Sequence, residues 1–160
     1  MRRLAPALVL ALAACAGLRD GYYVKGPLKY RVVEPPAPWR QVGFSDNDLA
    51  WDNGSSVISI NATCEGHGDP SLEVLTRHLL FGFTEATLVE RKTEPLDGRE
   101  GLWSHYQAKL DGVPVELELL VLKKNGCVHD FSRVAPAGDF ERDRAPFTAL
   151  VQGFTAERSP

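Results

Sequence analysis

The sequence predicts an α+β domain built on an antiparallel sheet, and three observations carry that expectation. Dipeptides suited to tight hairpins recur at Asp97-Gly98, Asp111-Gly112 and Asn125-Gly126, each between segments rich in β-branched and alternating apolar residues. Apolar residues at helical spacing occur in two places, one mid-chain and one near the C-terminus. The resulting order of strands, helix, strand meander and helix lacks the strand–helix alternation of a doubly wound parallel sheet.

Each element follows from local chemistry. "LKYRVVEPP" reads as a strand stopped by Pro35-Pro36, which cannot continue a ladder. "DLAWDNGSSVISINATC" reads as a hairpin around Asp52-Asn53-Gly54, the Asn-Gly pair supplying the positive backbone angles of a tight primed turn. In its second strand Ile58, Ile60, Ala62 and Cys64 alternate with Ser59, Asn61 and Thr63, so Cys64 lies on the buried face. "GDPSLEVLTRHLLFGF" predicts a helix capped by Asp69, with Pro70 at the first helical position, a core stripe of Leu72, Leu75 and Leu79, and Gly82 as terminator. Residues 87–136 then predict four antiparallel strands, and Phe147, Leu150, Val151 and Phe154 predict a second helix laid on the sheet.

The N-terminus carries separate information. Met1-Arg2-Arg3 followed by the apolar run Leu4–Ala14 has the charged start, apolar middle and small-residue end of a secretory signal, and it is shorter than the roughly 20 residues a membrane-spanning helix needs. Leu12-Ala13-Ala14-Cys15 resembles the bacterial lipobox. That resemblance implies cleavage before Cys15 and acylation of Cys15, with the lipid holding a water-soluble domain on a bilayer. Ala16, rather than Asp, after the cysteine implies sorting to the outer membrane, facing the periplasm. The expected organisation is a signal peptide at 1–14, a lipidated tether at 15–27 and one α+β domain at 28–160.

Processing removes Arg2 and Arg3, so the side-chain balance moves from −3 to −5. Such mild acidity leaves no electrostatic footprint for nucleic acid. With Cys15 assigned to lipid, Cys64 and Cys127 remain, either as buried free thiols or as a disulfide; an oxidising compartment favours the disulfide.

Several constellations bear on chemistry. Cys64-x-x-His67 with Cys127-x-His129 supplies the donors of a tetrahedral zinc site, but the second spacing is tight and a disulfide would consume both thiolates. The same disulfide would remove a thiol nucleophile paired with His67 or His129. Glu116 and Glu118 alternate with Val115, Leu117 and Leu119 and read as the solvated half of a strand, so no acid/base pair is assigned to them. Trp39, Trp51 and Trp103, far apart in sequence, read as core filler and not as a sugar-stacking platform. Gly-x-Ser-x-Gly, Walker, dinucleotide-glycine and His-Glu-x-x-His motifs are missing from the sequence. These readings predict a non-enzymatic chain with no cofactor, no catalytic residue and no metal ligand.

The opening "LKYRVVEPPAPWRQV", with its strand, prolines and tryptophan, together with the element order across residues 28–155, resembles Mog1/PsbP-like domains. The resemblance implies an α/β/α sandwich and a role in binding partner proteins as an accessory or assembly factor; no site residue transfers with it. The expectation is therefore an outer-membrane lipoprotein that contacts the membrane through its anchor and scaffolds an envelope protein complex. It would recognise its partner through the free sheet face or the loops at "FSDND" and "EGHGDP". A carrier of a lipid or other apolar small molecule is the alternative, and it requires an enclosed apolar cavity of several hundred Å³, on the order of an ordinary ligand pocket.

Overall fold

A computed structural model describes residues 17–19, 21–44, 47–66 and 68–158. Residues 1–14, expected as a signal peptide, lie outside the described residues, as do Cys15 and His67. Two antiparallel sheets organise the chain. The small one contains β1 (Gly17–Arg19), β2 (Tyr22–Lys25), β3 (Leu28–Arg31) and, from the other end of the chain, β11 (Thr155–Arg158), in the order β1-β2-β3-β11. The large one contains β4 (Arg40–Val42), β5 (Leu49–Asp52), β6 (Val57–Thr63), β7 (Phe83–Leu96), β8 (Arg99–Leu110), β9 (Val113–Lys124) and β10 (Cys127–Pro136), in the order β4-β5-β6-β10-β9-β8-β7. Helix α1 (Leu72–His78) follows β6, and α2 (Arg144–Gln152) follows β10.

The four-strand meander of β7 to β10 is as expected, because each turn has the geometry its dipeptide favours. Asp97 and Gly98 have φ of 49° and 75°, Asp111 and Gly112 50° and 82°, and Asn125 and Gly126 55° and 76°, the paired left-handed conformations of a primed two-residue turn. The β5–β6 hairpin forms, but with a four-residue loop. Asp52 pairs with Val57, and the Asn53 side-chain carbonyl accepts from the backbone N–H groups of Ser55 and Ser56 at 3.0 and 2.8 Å. That side-chain turn replaces the tight primed one.

Helix α1 starts two residues later than predicted. The Ser71 hydroxyl accepts from Val74 N–H at 3.3 Å and is the N-cap, whereas Asp69 pairs with Lys123 Nζ at 2.6 Å. Gly82, at φ 91°, reverses the chain into β7 after a run of turns.

Odd and even positions of the central strands build two different layers. Leu120 and Leu122 of β9 face Tyr30, Trp51, Ile58, Ile60, Phe131, Phe147, Leu150 and Phe154, the core that joins the large sheet to α2 and the small sheet. Val121 packs instead with Val128 and Leu75 under α1. Layers of helix, sheet and helix result, with the small sheet sharing the α2 layer. Trp39, Trp51 and Trp103 are all buried.

Besides the three-residue β4, two segments depart from expectation. Gly17–Arg19 and Tyr22–Lys25, within the segment expected as tether, form β1 and β2. Tyr23 lies opposite Tyr30 with ring centroids 5.1 Å apart, and Asp48 accepts from the Tyr23 hydroxyl at 3.2 Å and from Lys25 Nζ at 2.7 Å. Burial and that carboxylate push the Tyr23 hydroxyl up to about 12. Four residues are too few for alternation to announce a strand, so pairing with β3 creates it. Strand β11 was likewise invisible: Thr155 and Glu157 pair with Arg31 and Lys29, and the Ala156 N–H and C=O bond Asp97 Oδ2 and Asn125 Nδ2 at 2.8 and 3.1 Å.

Cys64 and Cys127 form a disulfide. The β6–β10 ladder sets Thr63 opposite Val128, so the two cysteines meet one position further out, with Cα atoms 4.0 Å apart. Closing a loop of this length contributes on the order of 4 kcal/mol in the chain-entropy model. No helix among the described residues is long and apolar enough to cross a membrane.

Candidate functional site

Register brings polar residues from three strands into one buried row. His105 of β8 lies opposite Glu118 of β9, which lies opposite Arg133 of β10. Glu118, expected on a solvated face, is 2% exposed, and Glu116 is 8% exposed. The expectation fails because the even face of β9 is covered by the loop between β10 and α2, whose Phe140 closes over the row. The Phe140 ring stacks on His105 with centroids 3.7 Å apart, and the Arg133 guanidinium lies 4.7 Å from its centre.

Glu118 is saturated. Its Oε1 accepts from the Trp103 indole N–H at 2.8 Å and from Arg144 Nε at 3.3 Å; its Oε2 accepts from Nε and a terminal nitrogen of Arg133 at 3.0 and 2.9 Å. Four donors fill the four acceptor positions of a carboxylate, leaving none to take a substrate proton. Glu116 is similarly held: Oε2 lies 2.8 Å from His105 Nε2, and Oε1 accepts from the Gly138 N–H at 3.0 Å. Arg133 also donates to the Phe140 carbonyl at 2.8 Å. The cluster thus fastens the 137–143 loop and the N-terminus of α2 to the sheet. It is built as a staple, not as a reactive pair.

Beside it lies an open cleft of about 610 Å³, with Leu120, Phe147 and Val151 at its floor, Thr148 and Gln152 of α2 on one wall and Lys92 and Glu94 of β7 on the other. Lys92 Nζ stands 4.7 Å from the Trp103 ring centre and pairs with Glu94 at 2.8 Å. Arg144 lies 5.4 Å from the same ring and pairs with Glu141 at 3.4 Å. The cleft is polar at its rim and opens toward the β7 edge of the sheet, which suits a surface contact better than the engulfing of an apolar molecule.

The zinc and thiol readings lose their donors, since both Cys64 and Cys127 sulfurs are in the disulfide. His129 is fully buried in the α2 layer, edge-on to Phe154 and Tyr30 at 5.0 and 6.1 Å, and neither ring nitrogen has a hydrogen-bond partner of good geometry. Burial lowers its pKa to about 4, while the Lys124 backbone and the carboxylates of Asp48 and Asp97 oppose the shift without cancelling it.

The buried cluster was missed from sequence, although it left a signal. Glu116 and Glu118 share their parity with Leu120 and Leu122, and Arg133 shares its parity with Phe131. A face that becomes apolar two residues onward is a covered face.

No sequence-family model matches the chain, and no curated protein sequence matches it. Solved structures do. Cyanobacterial PsbP (CyanoP) from Synechocystis sp. PCC 6803 superposes with a TM-score of 0.57 at 13% identity, over 91% of this chain and 99% of that one. The fold is PsbP-like. LpqN of Mycobacterium tuberculosis, described as involved in cell envelope biogenesis, shares this PsbP-like architecture with a TM-score of 0.59 at 13% identity, over 83% of this chain and 84% of that one. A Bacteroides thetaiotaomicron protein aligns with a TM-score of 0.54 at 11% identity, over 82% of this chain and 46% of that one. At these identities the PsbP-like likeness is one of fold, and no residue role comes with it.

Proposed function

We propose that this chain is a lipoprotein, acylated at Cys15 and held on the periplasm-facing side of the outer membrane, that serves as a non-catalytic accessory or scaffolding module of a cell-envelope complex. The observation that carries this reading is the filled interior. Tyr30, Trp51, Ile58, Ile60, Phe131, Phe147 and Leu150 are each at most 2% exposed, and they occupy the space between the large sheet and the α2 layer where a carrier would need its cavity. The 610 Å³ depression is instead open and bordered by Lys92, Glu94, Glu141 and Arg144. Support also comes from the lipobox-like Leu12-Ala13-Ala14-Cys15 and from the PsbP-like fold shared with an envelope-biogenesis protein. Confinement to a membrane raises the effective concentration of a scaffold near its partners.

The test is fractionation and intact-mass analysis in the native host. The wild-type chain is expected in outer-membrane fractions with acyl mass at Cys15. Cys15→Ser is expected in the soluble fraction with an unchanged unfolding midpoint. A wild-type protein with a free thiol at Cys15 overturns the anchor. For the scaffold role, a photo-crosslinker at Thr148 or Gln152 is expected to capture one discrete envelope protein, and a second bulky substitution in the cleft is expected to abolish that product.

A further inference from the structure

Charge is divided unevenly between the two sheets. The segments that build the small sheet, residues 17–31 and 155–158, contain five Lys/Arg and two Asp/Glu. The rest of the chain from residue 15 onward contains eleven Lys/Arg and nineteen Asp/Glu. Within the small sheet, Tyr23, Tyr30 and Ala156 point into the core, so the intervening positions point outward. That outward face presents Tyr22, Val24, Lys29, Arg31, Thr155 and Glu157. Lys29 Nζ lies 4.0 Å and the Arg31 guanidinium 5.7 Å from the Tyr22 ring centre, while Glu157, the one carboxylate of that face among the described residues, pairs with Lys29 at 3.3 Å.

The anchor leaves from this same sheet. β1 is its edge strand and begins at Gly17, with only Ala16 between it and Cys15. Two residues span at most about 7 Å, so acyl chains on Cys15 would bring this edge to the headgroups with almost no slack. An anchored domain can still pivot about that corner, and charge decides which side turns down. The basic small sheet is attracted to an anionic surface, the acidic remainder is repelled, and a tyrosine flanked by long cationic side chains suits the membrane–water interface.

We propose that the outward face of the small sheet is a membrane-apposed surface that engages anionic phospholipid headgroups through Lys29, Arg31 and Tyr22. The proposal rests on acylation of Cys15. It places α1, on the opposite side of the large sheet, and its residue Arg77 away from the bilayer.

The experiment uses the full acylated chain, purified from membranes and reconstituted in vesicles of phosphatidylcholine with or without phosphatidylglycerol. With Cys64 and Cys127 bridged and Cys15 acylated, an added cysteine is the single free thiol for a fluorophore, placed by Val24→Cys or Arg77→Cys. With headgroup-nitroxide lipid in phosphatidylglycerol vesicles, the Val24→Cys probe is expected to be quenched several-fold more than the Arg77→Cys probe. Raising ionic strength to about 0.5 M, where the screening length falls to about 4 Å, is expected to reduce that contrast. Lys29→Gln with Arg31→Gln should do the same, each lost cation weakening the attraction about fivefold. The salt titration needs no variant, so a folding defect cannot mimic it. Equal quenching at both probes, or quenching at Val24→Cys indifferent to phosphatidylglycerol and salt, overturns the oriented face while leaving the anchor intact. A chain that carries no acyl mass and fails to float with vesicles overturns both.

Discussion

Arg133 and His129 stand four residues apart on β10, face the same layer and are almost without exposure, yet the fold treats them in opposite ways. Arg133 keeps its charge company: Glu118 takes two of its N–H groups and the Phe140 carbonyl a third, with the Phe140 ring above. His129 has the Tyr30 and Phe154 rings against it and no ion-pair partner, and burial lowers its pKa to about 4 although the Lys124 backbone and the more distant carboxylates of Asp48 and Asp97 oppose the shift. A guanidinium cannot shed its proton at any pH a protein meets, so its burial demands a partner; an imidazole can, so its burial demands only loss of the charge. One strand therefore shows both solutions to the cost of an interior cation, and each solution can be broken separately.

The pairing solution is the more fragile. Glu118→Leu strands Arg133 in the core and frees the Trp103 N–H, and equilibrium denaturation should show a loss of about 3–5 kcal/mol, the range for breaking a buried ion pair by removing one member. Glu118→Leu combined with Arg133→Met should recover most of that loss. If the double variant is no more stable than the single one, the pairing is not what the cluster contributes.

The neutral solution reads out through acid. His129 binds a proton near 6.5 in the unfolded chain and near 4 in the folded one. Between those values the unfolded state holds more protons, so stability is complete above about 6.5, falls as pH drops and has lost this contribution, about 3 kcal/mol, below about 4. His129→Leu should remove that slope, and the difference between wild-type and variant stability at pH 4.5 and pH 7.5 measures it. Parallel pH profiles for the two proteins would assign the acid sensitivity elsewhere.

An exposed pair calibrates both. Lys92 and Glu94 pair at the cleft rim with side chains 43% and 37% exposed. Lys92→Ala is expected to cost less than about 1 kcal/mol, and that cost should shrink with added salt, because solvent screens the pair. A larger, salt-independent cost would show that Lys92 acts by packing on Trp103 instead.

How far the structure was legible varied with the range of the interaction. The meander was readable because Asp-Gly and Asn-Gly encode their own backbone angles within two residues. The disulfide was readable because assigning Cys15 to lipid leaves Cys64 and Cys127 as a pair, which an oxidising compartment favours bridging. The Glu116–Glu118 face was misread because alternation reports two faces without saying what covers each. Its cover, Phe140, comes from a loop some twenty residues further on. Strands β1, β2, β4 and β11 escaped notice since segments of three or four residues carry no period of their own.

By itself the sequence determined the local elements: the turn chemistry, the alternating strands, the apolar stripe of each helix and the lipobox-like N-terminus. These arise from forces acting between residues close together along the chain. Only the tertiary structure decided that the segments 17–31 and 155–158 meet in one small sheet, that Glu118 and Arg133 are buried together and that the space between layers is filled. Those outcomes depend on burial, and burial is set by whatever distant segment packs on top.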